Sequence, residues 1–242
     1  MFEVVTTFNQ YKHGYFSDKM LQTFDLYWKK SINLFAYIQN PKKNYNVGKN
    51  IKIIDFENIS EKFNFFKFNY NHKELSAKIK SYKFEATRFA HKIYALKHHI
   101  EICKSNYLIW LDSDVISFKN IDEKFLSKLT DENIYFSYLG RKYINFHSEA
   151  GFMIFNTKHK YHNEFWQLMS EMYDDGKLFD EKEWHDSYIF DVVRSKLEKK
   201  NMKTLDISSF GLNKGKDPLE VLDNSVLGEF MKHLKGNRKQ FL

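Results

Sequence analysis

The sequence predicts an α/β fold in which a mostly parallel central sheet is flanked by helices, and two observations carry that expectation. Short apolar, β-branched or aromatic runs alternate along the chain with segments whose apolar residues recur at spacings of three and four. Strands interleaved with helices in this way build parallel or mostly parallel sheets. The second observation is the stretch Tyr107-Leu-Ile-Trp-Leu111, followed at once by Asp112-Ser113-Asp114. Five apolar residues are too few for a lone helix, so the run reads as a buried central strand delivering charge at its C-terminal edge. Ligands bind at that edge in open α/β sheets.

Taken in order, Phe2 to Thr7 is a β-branched strand, Asn9 to Ser17 a polar loop, and Asp18 to Lys30 a helix with Met20, Leu21, Phe24 and Trp28 on one face. Ile32 to Ile38 is a second strand, stopped by Asn40-Pro41, and Ile51 to Phe56 a third. Ile59 to Asn71 is aromatic-rich and fits either a loop or a short helix. From Phe84 to Cys103 the residues Phe89, Ile93, Leu96, Ile100 and Cys103 define the stripe of a long helix that leads into the central strand. Ile121 to Leu129 is expected to be helical and Ile134 to Leu139 a strand. Tyr143 to Phe146 and Phe152 to Phe155 then bracket an expected loop, His147 to Gly151. Tyr161 to Tyr173 is a helix with Phe165, Leu168, Met169 and Met172 as its stripe, and Trp184 to Ser187 opens another with Tyr188, Ile189 and Val192 in the core. After Leu205-Asp206-Ile207 come a loop, Ser208 to Pro218, and a patchily helical Leu219 to Leu234.

With 242 residues, 43% hydrophobic, 18% aromatic and only two prolines, the chain is long enough to bury a real core and shows no Pro/Ser-rich linker. One domain over residues 1–242 is expected. The single Cys103 excludes an internal disulfide framework. No stretch approaches the roughly 20 apolar residues of a membrane span, and Met1 leads straight into a strand without a signal peptide. A cytoplasmic protein without a transmembrane segment is therefore expected. The net charge of +7 fits an anionic partner. Its lysines are scattered and match no nucleic-acid-binding motif, so nucleic acid is not the expected one.

Residues i and i+2 of an extended segment project to the same side, which lets Asp112 and Asp114 converge on one point. Two hard oxygen ligands there suit Mg²⁺ or Mn²⁺, while an Asp-Ser-Asp turn is the bland account of the same residues. Arg88 and Lys92 lie four apart and can point together at an anion, or simply form a solvated basic face. Gly151 would let a ligand approach and leave Glu149 facing a pocket, unless the segment is an ordinary turn. Asp186 is either a carboxylate complementing a helix dipole or an acceptor-binding or basic group. His233, Gly236 and Lys239 read as a helix end capped by Gly236, or as a metal ligand and a phosphate-binding cation from one short segment.

Together these segments resemble the nucleotide-sugar-dependent glycosyltransferases of the GT-A fold. Val4-Val-Thr6-Thr7-Phe-Asn9-Gln-Tyr11 is similar to the first strand that holds the nucleotide in that family, and Trp110-Leu-Asp112-Ser113-Asp114, fed by the helix of Arg88 and Lys92, to its DxD motif. Ser148-Glu-Ala-Gly151-Phe-Met-Ile-Phe-Asn156 looks like the wall between donor and acceptor. His233-x-x-Gly236-x-x-Lys239 matches the HxxGxxK signature of the glycogenin-like branch, glycosyltransferase family 8. The resemblance implies a hexosyltransferase-type enzyme of surface glycan or glycoconjugate synthesis. Its donor would be a nucleotide-diphosphate sugar, UDP-linked by preference or GDP-linked, and its acceptor a glycan or other hydroxyl. It further implies Mn²⁺ or Mg²⁺ on Asp112, Asp114 and His233, with Lys239 meeting the diphosphate. An inverting enzyme would use Asp186 or Glu149 as base, whereas in a retaining one the leaving phosphate takes the proton. Glu149-Ala-Gly151 replaces the usual Asn-Ala-Gly, and Lys239 is not followed by Pro-Trp, which leaves the acceptor and the stereochemistry open. Two alternatives stand beside this reading: a non-catalytic module that grips a phosphorylated sugar or glycan, and a nucleotidyltransferase. The latter normally has a Gly-rich loop after its first strand, and Thr6 to Tyr15 contains only Gly14.

Overall fold

A computed structural model describes residues 1–42, 44–77, 79–141, 146–210 and 220–235. Strand β1 (Phe2–Asn9) is followed by α1 (Gln10–Tyr27), β2 (Asn33–Gln39), β3 (Ile51–Asp55), α2 (Ser60–Leu75) and α3 (Ala86–Ile102). Then come β4 (Tyr107–Leu111), β5 (Val115–Ser117), α4 (Glu123–Ser127), β6 (Phe136–Arg141), β7 (Phe146–Asn156) and α5 (His162–Asp174). The described chain closes with α6 (Asp186–Glu198), β8 (Thr204–Asp206), α7 (Val221–Asn224) and β9 (Met231–His233).

A seven-stranded sheet has the order β3-β2-β1-β4-β7-β6-β8, and β5 and β9 form a separate two-stranded sheet. Strands β3, β2, β1 and β4 pair in parallel, β7 runs against β4 and β6, and β8 is parallel to β6. The fold is thus the mostly parallel α/β architecture read from the sequence.

Alternation along β4 sends its side chains into two different cores. Leu108 and Trp110 join a cluster rich in aromatic rings, among them Phe66, Tyr94, Phe136, Phe155, Phe165 and Phe190. Ile109 and Leu111 join a more aliphatic cluster with Val4, Met20, Leu21, Leu34, Ile38 and Leu126. A central strand buried on both faces needs an unbroken apolar run, which is what Tyr107 to Leu111 supplies.

Several expected boundaries move. The segment Asn9 to Ser17 is no loop: α1 starts at Gln10, and the Asn9 side chain accepts hydrogen bonds from the Tyr11 and Lys12 backbone N–H groups as its N-cap. Tyr11 and Tyr15 face solvent in the first turns, so no apolar stripe announces the helix there. Ile59 to Asn71 proves to be mostly α2, in which Phe63 and Phe66 are buried while Phe65 and Phe68 are exposed, so aromatic residues on opposite sides blur the period. In α3 the fully buried stripe runs through Ala86, Ala90, Ile93 and Leu96, with Phe89, Ile100 and Cys103 only partly covered. Regular helix within Ile121 to Leu129 is confined to α4, capped by Asp122. Residues His147 to Gly151 form no loop but the first half of the 11-residue β7; residues 142–145 lie outside the described residues. In α6 the core positions are Ile189, Phe190, Val193 and Leu197 rather than Tyr188 and Val192. Leu219 to Leu234 is not one helix: α7 spans four residues, a 3₁₀ turn follows at Val226–Glu229, and β9 ends the segment. The described residues before Gly236 are thus strand and not helix, and Gly236 itself lies outside the described residues.

Candidate active site

The C-terminal ends of β1, β2 and β4 lie at one edge of the sheet, and the sharp exit from β4 carries Asp112 and Asp114 there. The turn is fixed by backbone bonds, Asp112 N–H to Gly151 O at 2.9 Å and Val115 N–H to Asp112 O at 3.0 Å. Past it, β5 pairs antiparallel with β9, Val115 opposite His233. The Leu234 N–H donates to Asp114 O at 2.9 Å, and the His233 N–H to Asp223 Oδ1 at 2.8 Å. These bonds aim His233 Nε2 at Asp114 Oδ1, 2.9 Å away, and leave it 3.7 Å from Asp112 Oδ2. One ligand atom from each of Asp112, Asp114 and His233 lies within 4.8 Å of the others, a donor set of two carboxylates and an imidazole that can hold a divalent cation.

On the aromatic face, Lys92 reaches from α3 under Asp112. Its ammonium is 3.0 Å from Asp112 Oδ1, pairs with Asp186 Oδ2, donates to Ala150 O at 2.9 Å, and stands 4.7 Å from the Trp110 ring centroid. Burial by itself lowers the Lys92 pKa, but Asp112 and Asp186 outweigh it and push the value up to about 12. The Trp110 Nε1–H also donates to Asp112 Oδ1, at 2.6 Å. Asp186, in the first turn of α6, is buried and accepts the Ser187 N–H at 2.8 Å on its other oxygen.

Glu149 occupies a third node. It is buried within β7, 2.9 Å from Arg141 Nη2, paired with Lys235, and 3.5 Å from His233 Nδ1, which makes no hydrogen bond. Burial raises its pKa, but Lys235, His233 and Arg141 overcome that and bring it to about 2. Burial likewise pushes His233 down, yet Asp114 and Glu149 more than offset it, so its pKa is raised. Gly151 is required here by contact, since a Cβ on it would stand 2.6 Å from His233 Cε1.

Of the residues singled out from sequence, Asp112, Asp114, His233, Lys92, Asp186 and Glu149 are thus joined through shared partners, with Ser113 inside the same turn. Arg88 is not among them: its side chain is 62% exposed and pairs with Glu85 at 3.0 Å, one helical turn away from Lys92. Thr6 is fully buried with an unpartnered hydroxyl, Thr7 donates to Tyr37 O at 2.6 Å, Asn9 caps α1, and Tyr11 is 84% exposed. Gly236 and Lys239 lie outside the described residues. Sequence reasoning missed Arg141 and Lys235. The latter had a signal: it lies two residues beyond His233 at the end of an extended segment.

No family model matches the sequence, and no curated protein is similar to it in sequence. Solved structures are similar in fold. Mouse xyloside xylosyltransferase 1 superposes with a TM-score of 0.53 at 13% identity, over 86% of this chain and 85% of that one. The galactosyltransferase LgtC, solved with donor and acceptor sugar analogues, gives 0.52 at 16% identity over 97% and 87%. The bifunctional glycosyltransferase WbbM gives 0.56 at 13% identity, covering 97% of this chain but only 46% of its own length. The chain therefore has the GT-A fold of glycosyltransferases. Among the described residues, no helix is long and apolar enough to cross a membrane.

Proposed function

We propose that this protein is a metal-dependent glycosyltransferase, moving a sugar from a nucleotide-diphosphate sugar, UDP-linked by preference, to an acceptor hydroxyl. The observation that carries the reading is the convergence of Asp112, Asp114 and His233 at the edge of a glycosyltransferase-type sheet, with donor atoms within 4.8 Å of one another. A Mn²⁺ or Mg²⁺ ion held by these three residues would act as a Lewis acid toward the charge that develops on the diphosphate leaving group.

The chain's own residues are assigned the following work. Lys92, protonated at any working pH, locks the Asp112 carboxylate in orientation, so that the charge arrangement exists before substrate arrives. Asp186 holds Lys92 from the other side, with both of its oxygens engaged. Glu149, with a pKa of about 2, is a poor proton acceptor near neutrality and serves to position His233 and Lys235. Because both candidate bases are committed to cations, the reading favours retention, with the acceptor proton passing to the leaving phosphate. Lys235, its side chain 37% exposed, is the described cation best able to meet a phosphate, and Lys239 is assigned the same task. Thr7, Asn9, Tyr11 and Ser113 are proposed to line the nucleotide.

A panel of nucleotide sugars, each tested for transfer or hydrolysis with Mn²⁺ and with EDTA, tests the proposal. The expected outcome is metal-dependent turnover of at least one donor, lowered by roughly 10²–10³-fold in Asp114→Asn. Nucleotide affinity and turnover that survive both EDTA and Asp114→Asn would overturn it.

A further inference from the structure

A second cluster of metal-binding side chains lies outside the donor site: His147 at the start of β7, Glu183 in the segment before α6, and His185 at the N-cap of α6. Both imidazoles aim at the same carboxylate oxygen, with Glu183 Oε2 3.1 Å from His147 Nε2 and 2.8 Å from His185 Nε2. In a tetrahedral zinc site with bonds of 2.0–2.1 Å, ligand atoms stand about 3.3 Å apart. The two distances here need to open by only about 0.2–0.5 Å to accept the ion.

The surroundings fix the three ligands in advance. Lys83 Nζ takes the other Glu183 oxygen at 2.7 Å, the kind of outer contact that orients a carboxylate ligand, and the Trp184 N–H donates to Lys83 O at 2.7 Å. The rings of Tyr82 and Phe89 pack against His185, and that of Tyr188 against His147. His185 is buried, so its ring is held in place by that packing. His147 is 24% exposed, so one side of the cluster opens to solvent.

We propose that His147, Glu183 and His185 form a zinc site with two imidazoles and one carboxylate, its remaining position open to water. Its ligand set differs from that of the donor site: two imidazoles favour Zn²⁺, whereas two carboxylates suit Mg²⁺ or Mn²⁺. The ion would clamp the start of β7 to the N-terminus of α6, one residue before Asp186. The proposal does not rest on the glycosyltransferase reading, and either can fail without the other.

The test uses the full chain carrying Asp112→Asn and Asp114→Asn, so that the donor site no longer competes, titrated with ZnCl₂ by calorimetry. One Zn²⁺ per chain at micromolar affinity or tighter is expected, with a Tm rise of roughly 5–10 °C at a hundredfold excess over Kd. Adding His147→Ala is expected to weaken binding at least 100-fold, and Glu183→Gln to weaken it by roughly 10–100-fold. X-ray absorption of the same zinc-loaded chain, its donor site still disabled, is expected to show two imidazole ligands. Binding weaker than millimolar, affinity unchanged by His147→Ala, or a zinc environment with fewer than two imidazoles would overturn the assignment.

Discussion

Two arms meet at Asp114, and they stand on unequal foundations. Strand β4 is flanked by β1 and β7 inside a seven-stranded sheet and buried on both faces. Strand β9 has three residues and, among the described residues, pairs only with the equally short β5. Isolated two-stranded pairings are marginal in water, so β9 depends on a few local bonds and on Met231 in the aliphatic core. The carboxylate half of the site therefore inherits the stability of the whole fold, while the imidazole half can loosen on its own.

Native-state amide exchange gives the largest expected contrast. The β4 amides should exchange only through global opening, and those of β9 at least about 10³-fold faster. Equal protection would mean that the two arms form one cooperative unit. Next comes Lys92→Met, which leaves two carboxylates without their shared cation. A loss of about 3–5 kcal/mol in denaturant unfolding is expected, as for other broken buried pairs, and it should exceed the loss from any single change in β9. Asp114→Asn sharpens the comparison in the other direction: donor turnover should drop by roughly 10²–10³-fold, with a Tm shift of only a few degrees, because the strand beneath it is untouched.

A smaller effect concerns the far end of β1. There the Glu3 carboxylate lies 2.9 Å from His99 Nε2 and 3.0 Å from Ser105 Oγ. Burial raises its pKa, but these hydrogen bonds more than compensate and lower it from 4.5 to about 2. A depressed carboxylate stabilises the fold above the unfolded pKa, and that stability is lost as pH falls from about 4.5 toward 2. Glu3→Gln should flatten the acid limb of the stability curve by about 1–3 kcal/mol, with the site unaffected. The smallest effect is that of Gly151→Ala, in which the new Cβ presses on His233. A cost of about 1–2 kcal/mol is expected, together with a weakened metal response, as His233 is pushed off Asp114.

The β4 arm was legible because one short run combined an unbroken apolar pattern with an abrupt pair of charges. The β9 arm was legible only as chemistry: His233 stood out, but a three-residue strand has no period to read, and helix was the default. Glu149 misled for a related reason. A polar run between apolar ones reads as a loop, yet here its charge is neutralised by Arg141 on the adjacent β6 and by Lys235, 86 residues away. Arg88 and Lys92 looked equivalent at i and i+4, and only the packing of α3 decided that one meets solvent and the other Asp112. Asn9 is a favoured capping residue, but the first turns of α1 carry no apolar spacing that would announce a helix behind it.

The hydrogen bond between His233 and Asp114 spans 119 residues of sequence, and that has a consequence in time. A ribosome working at about 5–20 residues per second takes roughly 6–24 s to travel from one to the other. All seven strands of the main sheet are complete by Asp206, before His233 has been made. The residues of the main sheet are thus all synthesised before the last member of the candidate site, so a growing chain that has reached Asp206 still lacks the imidazole that faces Asp114.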